Sequence, residues 1–545
     1  MGGVQSKAKG LWLAIKYLFE LNKSFEELLK RASQPPGLPV SNPSQSYWLE
    51  DPPFPELVDI RSEELPEHAD IVIIGSGITG AAVARSVLQE CQRKGETRKI
   101  VVLEARTLCS GATGRNGGHM KSSPHELFVQ LKKRFGPERA AIITRFQLSH
   151  VKVLTELCKS EGWDIAECRE VTTSDLYLDE ESRVAALGEV EEFRKWIPEL
   201  DIQTWDAPGA QKVRIRSRLK CCTVPCVDLK QHFKVNNFVT GAISYIAGAL
   251  WPYRLVASVW KDLLTKFPKS LSIETGTAVT DILPWTDNDF AYRVVTSRGD
   301  IKCRHIVHAT NGFASQYVPG LRGKMTGFVA HMSAQQPGTQ FPDYGGSRSW
   351  SVVYGTAYDY VTQRPTADGV PGDIMLGGGF FRGKDQGMAQ SGYWDDSNAA
   401  MDALAVNHIG NIFPTIFAPH WGDDREGGRV KRMWTGIVAI TGDFLPFVGR
   451  LDPKLTDRRP KSQASSETVP AGEWVSAGYC GDGMVWAWLS GTALGVMLMG
   501  SEKEELPAVP GRPAGKVADW FPHELAPTLK RVEEADLSNL AGRLL

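Results

Sequence analysis

At 545 residues the chain is longer than one hydrophobic core normally supports, so two sequential or interleaved domains are expected. With 42% hydrophobic and 23% charged residues it reads as globular, and a net charge of −1 excludes the general basic attraction that nucleic-acid binding relies on. Nine cysteines, odd in number and without regular spacing, fit a reducing, cytoplasmic setting rather than a disulfide framework.

Met1 to Ser6 fits the M-G-x-x-x-[ST] acylation pattern, with Lys7, Lys9 and Lys16 close behind. Leu11, Ile15, Leu18, Phe25 and Leu29 fall on a helical stripe, and Ser24 with Glu27 has the form of a capping box. One acyl chain binds a membrane only marginally, so the lysines and the stripe would be the second signal. Two readings stand open: a peripheral anchor on the cytoplasmic face of a membrane, or a helical arm packed on the body. The apolar run is too short for a secretory signal and no small-residue cleavage site follows it. Gln34 to Pro55 is proline-rich and is expected to lie extended over the surface before the fold begins near Glu67. No apolar run reaches membrane-spanning length; Trp474 to Gly500 comes nearest but contains Asp482 and several glycines.

The strongest signal begins at Asp70. The β-branched run Ile71 to Ile74 breaks into Gly75, Ser76, Gly77, Ile78, Thr79 and Gly80, after which Ala81, Ala82, Val83, Ala84, Val87 and Leu88 recur at helical spacing. In this strand–turn–helix Gly75 permits the turn, Gly77 lets backbone approach a pyrophosphate, and Gly80 lets the helix pack on the strand. The helix's first amides and positive dipole end then face phosphate. A second strand, Lys99 to Leu103, ends in Glu104, 24 residues after Gly80, where an acid accepts ribose hydrogen bonds. Together these mark an adenine dinucleotide site. Ala105 and Arg106, then Gly111, Ala112, Thr113, Arg115, Asn116, Gly117, Gly118 and His119, form a glycine-rich stretch suited to follow a long extended cofactor.

These segments resemble the FAD-dependent amine and amino-acid oxidoreductases of the D-amino-acid oxidase, glycine oxidase and sarcosine oxidase family, with the γ-glutamylputrescine oxidase-like branch the nearest in pattern. The likeness is specific over Asp70 to His119, looser but ordered across about residues 240 to 500, and absent from the first 45 or so. It implies bound FAD and an α/β, overall α+β, architecture: a Rossmann-type FAD-binding domain of the glutathione-reductase-like kind, interleaved with a substrate domain on an antiparallel sheet with helices. Residues 1–66 would be an arm and linker, 67–135, 240–324 and 434–505 the FAD domain, 136–239 and 325–433 the substrate domain, and 506–545 a tail.

Helical patterns follow at Glu126 to Arg134, Glu138 to Glu161 and Glu180 to Trp196. Cys221, Cys222 and Cys226 cluster, but no matching Cys or His pair follows, so no metal is expected. Ser272 to Ile282 reads as a strand, and Tyr292 to Thr296 with Ile301 to Ala309 as a hairpin. The resemblance places Val279 against the adenine and Thr310, Asn311 and Gly312 across the cofactor; His305 and His308 read as structural. Ser349 to Tyr354, Ala357 to Thr362 and Asp373 to Leu376 have strand composition and Asn398 to Ile412 is helical. Tyr358 and Tyr360 share a strand face and are candidates to face the substrate, with His119 a candidate proton acceptor or covalent flavin link. Trp474 to Ala477 leads through Gly481, Asp482, Gly483 and Met484 into an apolar helix to Met499, a glycine loop placed to stabilise reduced flavin.

Three departures from the family pattern matter. Val438 stands where amino-acid oxidases carry a carboxylate-binding arginine, which favours an amine substrate unless Arg254, Arg364 or another arginine substitutes. Asp482 stands where relatives have histidine, and the oxygen-activating lysine is replaced near Met375. The expected reaction is hydride transfer from the α-carbon of an amine or amino acid to flavin N5, with oxygen or quinone as acceptor. Alternatives are a membrane-associated quinone-reducing dehydrogenase and a non-catalytic flavin-binding scaffold.

Overall fold

Residues 26–206, 232–286, 289–355, 357–459 and 469–539 are described in the computed structural model. The acylation pattern, the apolar stripe up to Phe25, the Cys221, Cys222 and Cys226 cluster and the chain end from Leu540 lie outside them.

The chain opens its first sheet with β1 (His68–Ile74), α1 (Ile78–Lys94) and β2 (Ile100–Leu103). It then crosses into a second body: β3 (His119–Met120), α2 (Pro124–Phe135), α3 (Pro137–Glu161), β4 (Arg169–Tyr177), α4 (Glu180–Arg194), β5 (Gln203–Asp206) and β6 (Gly241–Ala249). Helix α5 (Pro252–Lys266) returns it to β7 (Leu271–Glu274), β8 (Val279–Pro284), β9 (Tyr292–Thr296) and β10 (Gly299–His308). A second excursion supplies β11 (Met325–Gln335), β12 (Arg348–Tyr354), β13 (Ala357–Gln363), β14 (Ile374–Gly378), α6 (Ala403–Ile416) and β15 (Val430–Thr441). The last return brings β16 (Phe447–Arg450), β17 (Gly472–Ala477) and α7 (Ala487–Leu498).

The first sheet has the order β16-β17-β10-β1-β2-β7, with β9 paired to β10 and β8 to β9. Its central pairs, β17–β10, β10–β1, β1–β2 and β2–β7, are parallel. Parallel strands are covered on both faces, which is why Ile71 to Ile74 and Ile100 to Leu103 are continuous apolar runs and are buried. The second sheet runs β15-β11-β14-β13-β12-β4-β6-β3 with β5 on β6, antiparallel throughout except β4 with β12. The mixed α/β fold with a dinucleotide-type parallel sheet and an interleaved antiparallel sheet is therefore as expected.

Several boundaries differ. Ser272 to Ile282 is two strands, because Gly276 turns with φ +59° and redirects β8 to pair with β9. Helix α6 starts at Ala403, not Asn398, because the Asp402 carboxylate caps the Leu404 and Ala405 amides. Strands β3, β6 and β15 belong to the second sheet although the expected limits at 135, 240 and 434 put them with the first. The connector is no surface thread: Ser44, Ser46 and Trp48 are each 1% exposed. Residues after 506 also fold back, burying Val517, Phe521, Leu525 and Val532.

Helix α7 is apolar all round because it is enclosed, not because it meets lipid; no helix among the described residues is long and apolar enough to cross a membrane. It lies on α1 through glycines. A Cβ on Gly495 would stand 2.5 Å from Ser86 Cβ and 2.9 Å from the Val83 carbonyl oxygen. Gly495→Val should therefore destabilise the protein by about 1–3 kcal/mol, read as a lower melting temperature; an unchanged melting temperature would refute this close helix contact.

Candidate active site

One cavity of about 1290 Å³ runs from the C-terminal ends of β1 and β2 to the face of the second sheet. That exceeds the usual pocket for a single drug-sized ligand and has room for a dinucleotide with a small second molecule beside it.

At its first end Gly75 has φ +109°, a conformation L side chains avoid, and a Cβ there would lie 2.6 Å from the Ala309 carbonyl oxygen. A Cβ on Gly77 would meet Thr113 Oγ1 at 2.9 Å. The Ile78 amide donates to that hydroxyl at 3.0 Å and the Ala81 amide to the Gly77 carbonyl at 3.0 Å. Thr79, in α1's first turn, lines the cavity there, and the first-turn amides without an intrahelical acceptor make this helix end an anion site. Glu104 Oε2 accepts from Ser76 N (3.2 Å) and Oγ (2.7 Å), and Oε1 from Arg106 N (3.1 Å). A carboxylate has about four acceptor positions, so one is left for a ribose hydroxyl. Thr310 Oγ1 lines the cavity buried and without a partner. Phosphate-sized backbone space, an acceptor for a sugar and an orphan hydroxyl together fit FAD.

The loop that follows is held by ion pairs. Arg106 makes a two-pronged contact with Asp396 at 2.9 and 3.0 Å, and Arg115 Nε lies 3.3 Å from the same carboxylate. Arg115, 3% exposed, also donates to the carbonyls of Thr435 (2.7 Å) and Ser44 (2.5 Å), and burial pulls its guanidinium down to about 10. The connector closes over the loop: Ser46 Oγ donates to Gly114 O at 2.6 Å and Trp48 Nε1 to Asn116 O at 2.5 Å. On the far side Tyr479 OH meets Thr79 Oγ1 at 2.8 Å, and Asn311 Oδ1 accepts the Gly478 amide at 2.9 Å.

Beyond the cradle the cavity widens into a chamber. Tyr358 and Tyr360 project into it from β13 with ring centroids 6.5 Å apart. Tyr358 is 54% accessible, yet that accessible area faces the cavity, since protein surrounds the residue. Burial, then the Asp482 charge, holds the Tyr358 hydroxyl well above its usual range, and Tyr360 is raised likewise, so both stay neutral donors. His119 Nε2 contacts Ser349 Oγ at 2.9 Å; burial, then Lys121, pushes its imidazole well below the usual value. The imidazole is therefore neutral and a weak proton acceptor on the cavity wall. Asp482 lines the chamber with Gln147 Nε2 3.5 Å from Oδ2, and burial, then Glu126, raises its carboxyl to about 7.

Of the residues expected to touch the cofactor, Gly75, Gly77, Ile78, Thr79, Glu104, Ala105, Arg106, Gly111, Ala112, Thr113, Arg115, Asn116, Gly117, Val279, Thr310, Asn311, Gly312, Gly481, Asp482, Gly483 and Met484 line the cavity. Ser76, Gly80 and Gly118 stand behind this lining, setting the backbone course of those that do. Val438 lines the chamber, whereas Arg254 pairs with Asp51 and Arg364 with Glu167 at 2.7 Å, so neither substitutes for the missing arginine. Met375 is wholly buried away from the lining. Sequence reasoning missed Asp396, Glu126, Glu189 and Lys121, which pairs with Asp175 and Ser351 Oγ. Only the charge of Lys121, two residues after His119, hinted at any of them.

The model of the family described as FAD dependent oxidoreductase (DAO) matches residues 70–495. The chain is 22% identical over 475 residues, 84% of its own length and 89% of the relative's, to the probable oxidoreductase OrdL of Haemophilus influenzae. L-proline dehydrogenase from P. horikoshii aligns with a TM-score of 0.57 at 18% identity over 87% of this chain and all of that one. Glycine oxidase from Bacillus cereus aligns with 0.54 at 15% over 80% and 96%. NikD, titled an unusual amino acid oxidase, aligns with 0.53 at 13% over 85% and 98%.

Asp396→Ala should leave two guanidinium groups unpaired, Arg115 wholly buried, and cost about 3–5 kcal/mol. A melting temperature equal to that of the unaltered protein would show that Asp396 does not bind the loop together.

Proposed function

The chain belongs to the FAD-dependent oxidoreductase (DAO) family, and on that premise we propose that it oxidises the C–N bond of an amine whose reacting nitrogen meets Asp482. Bound FAD would supply the two-electron acceptor for the hydride of the substrate α-carbon, and water would hydrolyse the resulting imine. The residues that would hold it are those of the cradle: Gly75 to Thr79 for the pyrophosphate, Glu104 for a ribose, Thr310 to Gly312 and Gly481 to Met484 along its length.

The observation that carries the choice of an amine is the charge of the chamber. Among the described residues every guanidinium in the cavity lining is spent within the protein: Arg106 and Arg115 on Asp396, Arg134 on Asp443 at 3.0 Å. A substrate α-carboxylate has no fork to bind, and Val438 offers none. The group awaiting a ligand is instead a carboxylate. Asp482 binds an entering ammonium, and the tyrosine-walled space disfavours separated charges, so the proton moves to the Asp482 oxygen and the amine is left neutral. Tyr358 and Tyr360 orient the nitrogen and exclude water.

Because the Asp482 carboxyl titrates near 7 in the free protein, kcat/KM for an amine should rise with pH and level off above about 7. Burial first, then Glu126, Lys121 and Gln147, set that value, and the Tyr358 and Tyr360 hydroxyls lie within reach of its charge. Asp482→Asn should lower kcat/KM by roughly 10²–10⁴-fold and flatten the limb. Anaerobic bleaching of the flavin band by simple amines, but not by α-amino acids, is the direct check. Bleaching by amino acids alone, or an unchanged pH limb in Asp482→Asn, would overturn the assignment.

A further inference from the structure

The amine reading leaves two carboxylates of the cavity wall unused. Glu126 on α2 and Glu189 on α4 both line the cavity, on helices that pack together beside its mouth. Among the described residues neither makes an ion pair, and Glu126 accepts only a long hydrogen bond from Gln130 Nε2 at 3.3 Å. The cations nearby are committed elsewhere: Lys121 to Asp175, Arg134 to Asp443, Lys132 to Glu192. Lys133 alone remains on this wall, exposed on α2. Against that one charge stand Glu126, Glu189 and Asp482. His125 also lines this wall, 2% exposed, and its Nδ1 has no partner. Burial lowers this imidazole to about 4, so it is neutral and repels no cation.

On the cavity wall Glu126 is exposed and Glu189 half-buried, and carboxylates sharing that wall without an ion-pair partner disfavour one another's ionisation. Burial, then Asp175, raises Glu126, and burial, then Glu126, raises Glu189 to about 7. Such an arrangement relaxes when a cation enters. A single ammonium at Asp482 answers one of the three charges and leaves the outer two facing each other.

We propose that Glu126 and Glu189 form a second-cation subsite, so that the substrate is an amine bearing two separated positive groups, a linear diamine or polyamine. This rests on the amine reading above. The reacting nitrogen goes to Asp482 and the distal ammonium lies between α2 and α4, where the two carboxylates accept its hydrogen bonds. These residues act on binding and on which nitrogen reaches the flavin; they take no part in hydride transfer.

The test compares α,ω-diamines of three to eight carbons with n-alkylamines of the same length on the flavin-loaded protein, at pH 9, above the values near 7 of Asp482 and Glu189. Dissociation constants come from calorimetry under anaerobic conditions, and reduction from loss of the flavin band. A diamine of matching length should bind at least about tenfold more tightly than its monoamine, a preference that salt weakens. Glu126→Gln and Glu189→Gln should each shrink the diamine-to-monoamine ratio of dissociation constants about tenfold, through KM rather than kcat. Glu181→Gln, exposed on α4 and off the cavity, should leave the ratio as it was. If monoamines bleach the flavin and diamines bind no better, the subsite is wrong while the amine reading stands. If diamines bind tightly and Glu126→Gln releases them, yet no amine bleaches the flavin, the subsite stands and amine oxidation falls. If neither class binds, both are overturned.

Discussion

The contact on which the rest of the molecule depends is between Gly80 and the carbonyl of Gly75. A Cβ on Gly80 would stand 2.1 Å from that oxygen, closer than any side chain permits, so the start of α1 sits directly on the turn that leaves β1. This brings the amides of the first helical turn to the strand ends instead of a side chain's thickness away. Helix α7 then presses α1 down from outside by the same device at Gly491 and Gly495, and Tyr479, at the head of the loop that enters α7, bonds Thr79 on α1. Backbone approach at one turn thus fixes a strand, two helices and the loop that closes the far side of the cavity.

A second node holds what regular structure does not. Residues 104–118 contain only one short helical turn, Ala112–Gly114, yet they must be as exact as the strands for a long cofactor to lie along them. Asp396 supplies the exactness, since Arg106, Arg115, the strap at Ser44 and β15 at Thr435 all converge on it or on its carbonyl. Buried ions are costly singly and tolerable together, so the cluster forms as a unit or not at all. It ties the first sheet's loop to the second body through contacts 290 residues apart in sequence.

What could be read from the chain follows from this difference. The glycine turn, the acid at Glu104 and the Asn116–Gly118 loop were legible because their chemistry is local: a turn, a strand end, a stretch of small residues. The parallel strands were legible because burial on both faces leaves an unbroken apolar run. Asp396 was not, being an acid in a polar loop whose partners lie far away. Neither were Glu126 and Glu189, which share a wall only once α2 and α4 pack, and whose spacing on either helix resembles any solvated face. Arg115 was taken for a cofactor contact; it does line the cavity, but its guanidinium is spent on Thr435, Ser44 and Asp396. Trp48 hid in a proline-rich stretch whose composition describes a linker, although one buried indole donating to Asn116 O turns that linker into a strap.

The cavity that results is electrically divided. Its first end is built from backbone N–H groups and a helix dipole, which favour anions without any formal charge to be neutralised in the empty protein. Its other end carries Asp482, Glu126 and Glu189, which among the described residues make no ion pair, with Lys133 on the same wall. Asp482 stands where the two meet. Its carboxyl at about 7 results from burial first and the Glu126 charge second, so the outer wall acts on Asp482 through space. On the diamine proposal, a cation at Glu126 would offset that charge and make Asp482 easier to ionise. Coupling of this kind requires no movement of the fold, only that the carboxylates line one cavity within electrostatic reach of each other.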